Sequence, residues 1–191
     1  LLRAPFVAHG ALRAVSRRLD ALLRSDAFRA QRLAAGLTEH GLVVAGGIRA
    51  GGHGATADGW MLACGARRPI APLPRGPRYD ACSVVVGDEL WVLGGRRASD
   101  PAGAYAPNAA LSTVEAYEPR ANTWRSCAPM RRARTGFVAG LVGGRLVVAG
   151  HGGASDAASA EALAPSGEWE PIPPMPHGAH WAPACALGGR L

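Results

Sequence analysis

One segment of the chain recurs at a nearly constant spacing, and this recurrence limits the folds that the sequence can adopt. The segment that begins at Arg78 reads RYDACSVVVGDELWVLGG. The segment that begins 56 residues later reads RTGFVAGLVGGRLVVAG. In it, Arg134 and Gly143 occupy the positions of Arg78 and Gly87. Glycine pairs and tryptophans recur at neighbouring spacings. Repeats of roughly 45 to 55 residues indicate an array of one supersecondary unit.

Each unit contains a predicted β-hairpin. In the first copy, the apolar runs Ser83–Val86 and Leu90–Leu93 flank the turn Gly87–Glu89, which is a hairpin signal. Because these runs are almost continuously apolar, we expect both faces of the strands to be covered. A strand at Thr113–Tyr117 and another around Trp124 complete a four-stranded unit. Such units suit the blades of a β-propeller better than a helical solenoid, whose apolar residues would recur about every 3.6 positions.

The repeated residues resemble those of the kelch repeat family. They comprise glycine pairs, a Tyr-Glu-Pro sequence, tryptophans and proline–methionine turns: Gly46-Gly47, Gly94-Gly95, Tyr117-Glu118-Pro119, Trp124, Trp169, Pro129-Met130 and Pro174-Met175. The resemblance covers about residues 42–191 and implies a mainly β fold, a partial kelch-type β-propeller with about three four-stranded blades. It has departures, since Arg68 stands where the first unit should carry its tryptophan and Leu163 stands at a tyrosine position. Propellers close with about four to eight blades, so we expect this sequence to be part of a longer array.

The first 37 residues follow a different pattern. Leu12, Val15 and Leu19 recur at helical spacing and so share one helix face. Ser25 suits the N-cap of a second helix, predicted over Asp26–Ala35. The segment resembles the C-terminal half of an F-box, which implies a truncated F-box-like domain at 1–37 and the kelch propeller at 38–191. The resemblance also implies that Leu12, Val15 and Leu19 contact a Skp-family adaptor of a cullin–RING ligase. The alternative is an ordinary helical hairpin that covers the propeller edge.

The composition excludes several classes of function. All 21 basic residues are arginines, and the net charge is +7; the absence of lysine excludes P-loop and Schiff-base chemistry. The arginines are scattered and not interleaved with aromatic residues, so we predict no nucleic-acid partner. No apolar run approaches membrane-spanning length, so we predict no membrane partner. The four cysteines form no Cys-x-x-Cys pair and are expected to be reduced thiols in a cytoplasmic or nuclear protein.

Arginines also recur at the entry to each hairpin. Arg78 and Arg134 occupy equivalent positions, and Arg131 lies just before the second of them. Because guanidinium groups bind carboxylates bidentately, we predict that these residues form a basic rim for an acidic peptide. Ordinary solvated surface arginines are the alternative. The long segment Arg96–Ala110, which contains Tyr105, is a second predicted recognition element.

The sequence contains no recognisable catalytic set, since G-x-S-x-G and H-E-x-x-H motifs are both absent. Tyr79, Cys82, His53 and His151 could bind a metal only if they converged at one end of a closed propeller. We therefore predict no metal, no cofactor and no enzymatic activity. The combined F-box and kelch resemblance implies a substrate-receptor subunit of an SCF-type ubiquitin ligase, which binds a target protein through its blade loops. The alternatives are a kelch interaction scaffold unrelated to ubiquitin and a fragment of a kelch-fold enzyme.

Overall fold

The computed structural model describes residues 9, 13, 16–37, 41–50, 54–63, 65–97, 110–151, 156–179, 181, 182 and 184. The first elements whose bounds lie within the described residues are two helices, α1 (Arg17–Arg24) and α2 (Asp26–Ala34). The strands that follow in the described residues are β1 (Gly41–Ala45), β2 (Gly59–Ala63), β3 (Ala66–Ile70), β4 (Cys82–Val86), β5 (Glu89–Leu93), β6 (Val114–Glu118), β7 (Thr123–Cys127), β8 (Val138–Val142), β9 (Arg145–Ala149), β10 (Ala160–Leu163) and β11 (Trp169–Ile172). The chain divides into an N-terminal unit, Leu1–Val44 with Gly59–Ile70, and a main unit, Ala45–Asp58 with Ala71–Leu191. The first sheet thus groups largely with the helices.

The second helix has the N-cap that the sequence predicts. The Ser25 hydroxyl accepts a hydrogen bond from the Phe28 N–H at 3.2 Å, which satisfies one free donor of the first turn. The helix ends at Ala34, one residue earlier than predicted, and Gly36 follows with a φ of 65°. The helices bury Leu23 and Phe28. Within the described residues, no helix has the length and apolar character needed to cross a membrane.

Within the described residues, the first sheet has three strands in the order β1-β2-β3, where the sequence predicted four. In each sheet, the N–H of the first glycine donates to a backbone carbonyl just before the third strand of the repeat, and this contact aligns the three sheets. By this alignment Leu62 corresponds to Tyr117, and Arg67 lies opposite Leu62 as Trp124 lies opposite Tyr117. Arg67 therefore replaces the tryptophan, and the predicted assignment of Arg68 to that place is wrong by one residue.

The second and third sheets are two copies of one antiparallel meander. Their strand orders are β4-β5-β6-β7 and β11-β10-β9-β8. The predicted hairpin is the β4–β5 pair, and its turn residue Gly87 has a φ of 62°. The corresponding Gly143 has a φ of 56° between β8 and β9. The predicted four-stranded unit is confirmed for these two sheets.

The sequence predicted that both strands of the hairpin are covered on both faces, and this is correct for only one of the two strands. The central strand β5 buries consecutive residues, Trp91, Val92 and Leu93. The edge strand β4 leaves Val85 63% exposed, and its counterpart β8 leaves Val142 63% exposed. An edge strand has a neighbouring strand on one side only, so fewer adjacent side chains cover its residues.

The core of the main unit lies between the second and third sheets. Its buried members are Trp91, Leu93, Val114, Ala116, Met130, Phe137, Leu146, Val148 and Trp169. Side chains of both sheets contribute, and Met130 and Phe137 come from the connection between them. This shared core packs the two meanders together, so that their ends form continuous surfaces.

The glycine pair at the end of the β4–β5 hairpin permits a close approach of two backbones. Gly94 has a φ of 56°, and a Cβ atom there would lie 2.6 Å from the Arg134 carbonyl oxygen. The next residue, Gly95, donates its N–H to that same oxygen at 2.8 Å. A side chain at Gly94 would break this contact, so the pair fixes the end of the second sheet to the entrance of the third.

Candidate functional site

The two ends of the paired meanders differ in the length of their connections. In a meander, successive connections alternate between the two ends. The turn end carries the short turns β4–β5, β6–β7, β8–β9 and β10–β11. The loop end carries the longer segments 71–81, 94–113, 128–137 and 150–159, as far as the structure describes them. Long connections on a rigid frame are the usual place of binding residues, so the loop end is the candidate site.

A buried arginine–glutamate pair organises the loop end of the third sheet. The Arg134 side chain is 0% exposed, and its Nε and Nη2 atoms donate to Glu161 Oε1 at 3.2 and 2.8 Å. Its Nη1 donates to the carbonyls of Gly150 and Ser159. The other oxygen of Glu161 accepts the Arg131 backbone N–H at 2.7 Å. One ion pair therefore joins the connection between the sheets to β10 and to the β9–β10 loop.

An equivalent pair lies in the second sheet with less favourable geometry. Arg78 Nη1 is 2.7 Å from Glu115 Oε2, and both side chains are at most 1% exposed. The contact is close, but neither Glu115 oxygen is aligned as a hydrogen-bond acceptor among the described residues. A second arginine, Arg75, approaches Glu115 Oε1 to 3.3 Å. Arg78 also donates to Gly94 O at 3.4 Å and to the Thr113 hydroxyl at 3.3 Å.

These contacts correct the prediction for Arg78 and Arg134. Both were expected to line an exposed basic rim, but both guanidinium groups lie in the interior against a buried carboxylate. Burial of a charge is tolerated when it is paired and hydrogen-bonded, which explains why arginine recurs here. The signal that sequence reasoning missed is the matching recurrence of Glu115 and Glu161, each two residues after a Thr or Ser.

The exposed arginines of the loop end stand next to the buried pairs. Arg131 and Arg132 are exposed, and Arg132 pairs with Asp156 of the β9–β10 loop. They border a depression of about 250 Å³ that Ser159, Glu161 and Pro171 also line. Of the four predicted partner-binding residues, the structure thus places Arg131 at an accessible position of this surface.

The two ends of the main unit carry opposite charge. The charged residues of the described loop end, apart from the buried pairs, are Arg75, Arg96, Arg97, Arg131, Arg132, Asp80 and Asp156. The charged residues of the turn end, counting the turns and the strand ends beside them, are Asp88, Glu89, Glu118, Glu168, Glu170, Arg120, Arg125 and Arg145. Cations prevail at the loop end and carboxylates at the turn end. A field of this kind attracts an acidic partner to the loops.

Several predicted site residues lie outside the described part of the chain. Tyr105, Leu12 and Val15 are among them. The third predicted adaptor contact, Leu19, lies in α1 and is half-buried. The prediction that these residues bind a partner therefore remains a prediction.

The residues considered as metal ligands do not form a ligand cluster in the described part of the chain. There, no group of three or more His, Cys, Asp or Glu side chains is arranged to hold a metal ion; His53 lies outside it. The Cys82 thiol donates to the Phe137 carbonyl at 2.9 Å, and burial raises the pKa of this thiol to about 11. Cys82 is thus a packed, neutral thiol at physiological pH.

Comparison with known proteins supports the fold of this region. A kelch motif matches residues 77–131, the part that forms the second sheet and carries the Arg78–Glu115 pair. The fold is similar to the solved structure of YjhT, with a TM-score of 0.53 and 16% sequence identity. That match covers 71% of this chain and 52% of the other, so the chain spans about half the length of the structure it resembles. At this level of identity, the similarity is one of fold.

Proposed function

We propose that this chain is a protein-interaction module that binds a partner protein at its loop end, with the second and third sheets serving as blades of a kelch propeller. Kelch repeats typically mediate protein–protein binding, and a kelch motif is present at 77–131. One observation carries the proposal for the site: accessible arginines stand on long connections that two buried Arg–Glu pairs hold in place. Such preorganisation lowers the entropy cost of binding.

We propose that the bound surface of the partner is acidic. The loop end has more accessible arginines than aspartates among its described residues, and guanidinium groups pair bidentately with carboxylates. Because these arginines are exposed, their contribution is screened by salt. Binding should therefore weaken steadily as the ionic strength rises, mainly through a slower association rate.

The experiment compares two double charge reversals. The tagged chain is used as bait in the wild-type form, as Arg131→Glu/Arg132→Glu at the loop end, and as Arg120→Glu/Arg145→Glu at the turn end. Bound proteins are quantified by mass spectrometry, and the leading candidate is retested as a purified protein. We expect at least tenfold weaker binding for the loop-end variant and little change for the turn-end variant. Equal binding by both variants would contradict the proposed site.

We also propose that the helical segment contacts a Skp-family adaptor, so that the chain acts as a substrate receptor of an SCF-type ubiquitin ligase. This proposal is supported by the F-box-like spacing of Leu12, Val15 and Leu19. The test is titration of the purified adaptor with the wild type, with Leu12→Asp/Leu19→Asp, and with Leu42→Asp. Leu42 lies on β1 and is 61% exposed, so it controls for the added charge. A folded chain that fails to bind the adaptor would favour the kelch scaffold unrelated to ubiquitin.

We propose further that the chain performs no covalent chemistry of its own. In this account the loop end and the helices both act by binding. Elemental analysis of the purified chain by mass spectrometry checks this point. A stoichiometric metal that survives dialysis against a chelator would favour the alternative of a kelch-fold enzyme.

A further inference from the structure

A cavity opens between the second and third sheets at the turn end, on the opposite side of the molecule from the proposed binding surface. Its volume is about 320 Å³, and its walls are mainly apolar: Val86, Trp91, Leu141, Leu146, Leu163 and Pro165. An enclosed apolar cavity of about 150 Å³ is already large enough to hold a benzene molecule. The space therefore suits an aromatic ring.

The repeat explains why this space is empty of side chains. Leu163 occupies the position that Tyr117 holds in the second sheet, opposite the strand tryptophan. Tyr117 is 0% exposed, and its ring lies 5.1 Å from that of Trp124. Its hydroxyl donates to Asn122 Oδ1 in the turn at 2.8 Å. The third sheet has neither the phenol ring nor an asparagine in its β10–β11 turn, so the ring and its hydrogen bond are both missing.

The mouth of the cavity offers a charged hydrogen-bond donor, Arg145. Arg145 lines the cavity, and its Nε atom is buried without a hydrogen-bond acceptor among the described residues. The other end of the same guanidinium pairs with the Glu170 carboxylate. A hydroxyl oxygen at the mouth can accept a hydrogen bond from the accessible part of this guanidinium, since the Arg145 side chain is 42% exposed. A carboxylate ligand would instead be repelled by Glu170.

We propose that this cavity is a binding site for a small neutral phenol, which takes the place of the tyrosine side chain that the third sheet lacks. The ring lies against Trp91 and Leu163, and the hydroxyl lies at the mouth beside Arg145. A ligand of this size binds with a dissociation constant on the order of 1 mM. The site does not depend on the loop-end function, because none of its lining residues belongs to the loop end.

The test uses 4-methylphenol, which is the tyrosine side chain as a free molecule. Binding to the full chain is measured by saturation-transfer NMR and by methyl chemical shifts of Leu141 and Leu163. We expect toluene, which lacks the hydroxyl, to bind about tenfold more weakly, because a hydrogen bond to a charged group contributes roughly one order of magnitude. We expect no binding of phenylacetate. Equal binding of toluene and 4-methylphenol would refute the role of Arg145.

Two substitutions separate filling of the cavity from a general effect of added bulk. Leu163→Tyr places the phenol in the cavity covalently and should abolish binding of 4-methylphenol. Leu42→Tyr adds the same group on β1, at a position that is 61% exposed and does not line the cavity, and should leave binding unchanged. If Leu163→Tyr does not fold, the methyl shifts of the wild-type chain decide the question. Chemical-shift changes confined to residues outside the cavity would overturn the proposal. So would the absence of binding at a 4-methylphenol concentration 10 times the expected dissociation constant.

Discussion

The buried pair between Arg134 and Glu161 should make Glu161 one of the most sensitive positions in the chain. Glu161→Ala removes the carboxylate that accepts two hydrogen bonds from Arg134 and one from the Arg131 backbone. The guanidinium then remains in the interior, where its side chain is 0% exposed. Its remaining acceptors are the carbonyls of Gly150 and Ser159, which carry no compensating charge.

The expected cost is large because one charge is left buried and unpaired. Breaking a buried ion pair by removing one partner costs about 3–5 kcal/mol, which is a large fraction of the stability of most domains. The matched control is Glu170→Ala, because Glu170 also pairs with an arginine but is 51% exposed. An exposed pair contributes about 0–1 kcal/mol, so the control should be nearly neutral.

The assay is urea unfolding monitored by tryptophan fluorescence. We expect Glu161→Ala to lower the unfolding free energy by about 2–5 kcal/mol more than Glu170→Ala does. The double variant Arg134→Met/Glu161→Leu should recover much of this loss, because it removes the unpaired charge with its partner. Equal effects of Glu161→Ala and Glu170→Ala would refute the assignment of a buried pair. A double variant that is less stable than Glu161→Ala would refute the electrostatic explanation.

Three other predictions test single contacts of the main unit. Gly94→Ala and Gly143→Ala impose the same strained φ of 56°, worth about 1–2 kcal/mol. Only Gly94→Ala adds a clash with the Arg134 carbonyl, so it should lower the melting temperature further; equal shifts would contradict this reasoning. Burial raises the pKa of Cys82 from its ordinary value of about 9 to about 11, so the stability that its buried neutral thiol contributes is complete below pH 9 and is lost as the pH rises to 11. Cys82→Ala should therefore show a smaller loss of stability over that range, by up to about 3 kcal/mol, in urea titrations at each pH. Trp124→Phe removes the indole donor to Ala71 O at 2.7 Å and should cost about 1 kcal/mol beyond the lost ring area, measured against Trp60→Phe, whose side chain is more exposed.

The periodic residues allowed much of the main unit to be predicted from sequence. The β4–β5 hairpin, its turn at Gly87 and the repeated tryptophans all have equivalent places in the second and third sheets. Trp124 and Trp169 even make the same contact, since each indole N–H donates to a backbone carbonyl of the preceding connection. Such local patterns can be recognised in the sequence because the same physical constraint operates in both sheets.

The burial of the repeated arginines could not be inferred in the same way. Arginine is usually exposed, so a recurring Arg78 and Arg134 suggested a surface. Their interior position depends on the glutamates that face them, which lie 37 residues after Arg78 and 27 after Arg134. The buried position could have been predicted only by matching the recurring arginines with the recurring glutamates. The first sheet was harder still to predict, because Arg67 stands there in the place of the repeated tryptophan and its guanidinium lies over the Trp60 ring.

The central claim is that a protein partner is bound at the loop end, and site-specific photo-crosslinking tests it most directly. A photoreactive amino acid is placed at Arg97 of the loop end or at Glu168 of the turn end, both of which are exposed. We expect a protein adduct from position 97 that disappears when Arg131→Glu/Arg132→Glu is added, and none from position 168. Adducts from position 168 alone, or equal adducts from both positions, would contradict the account.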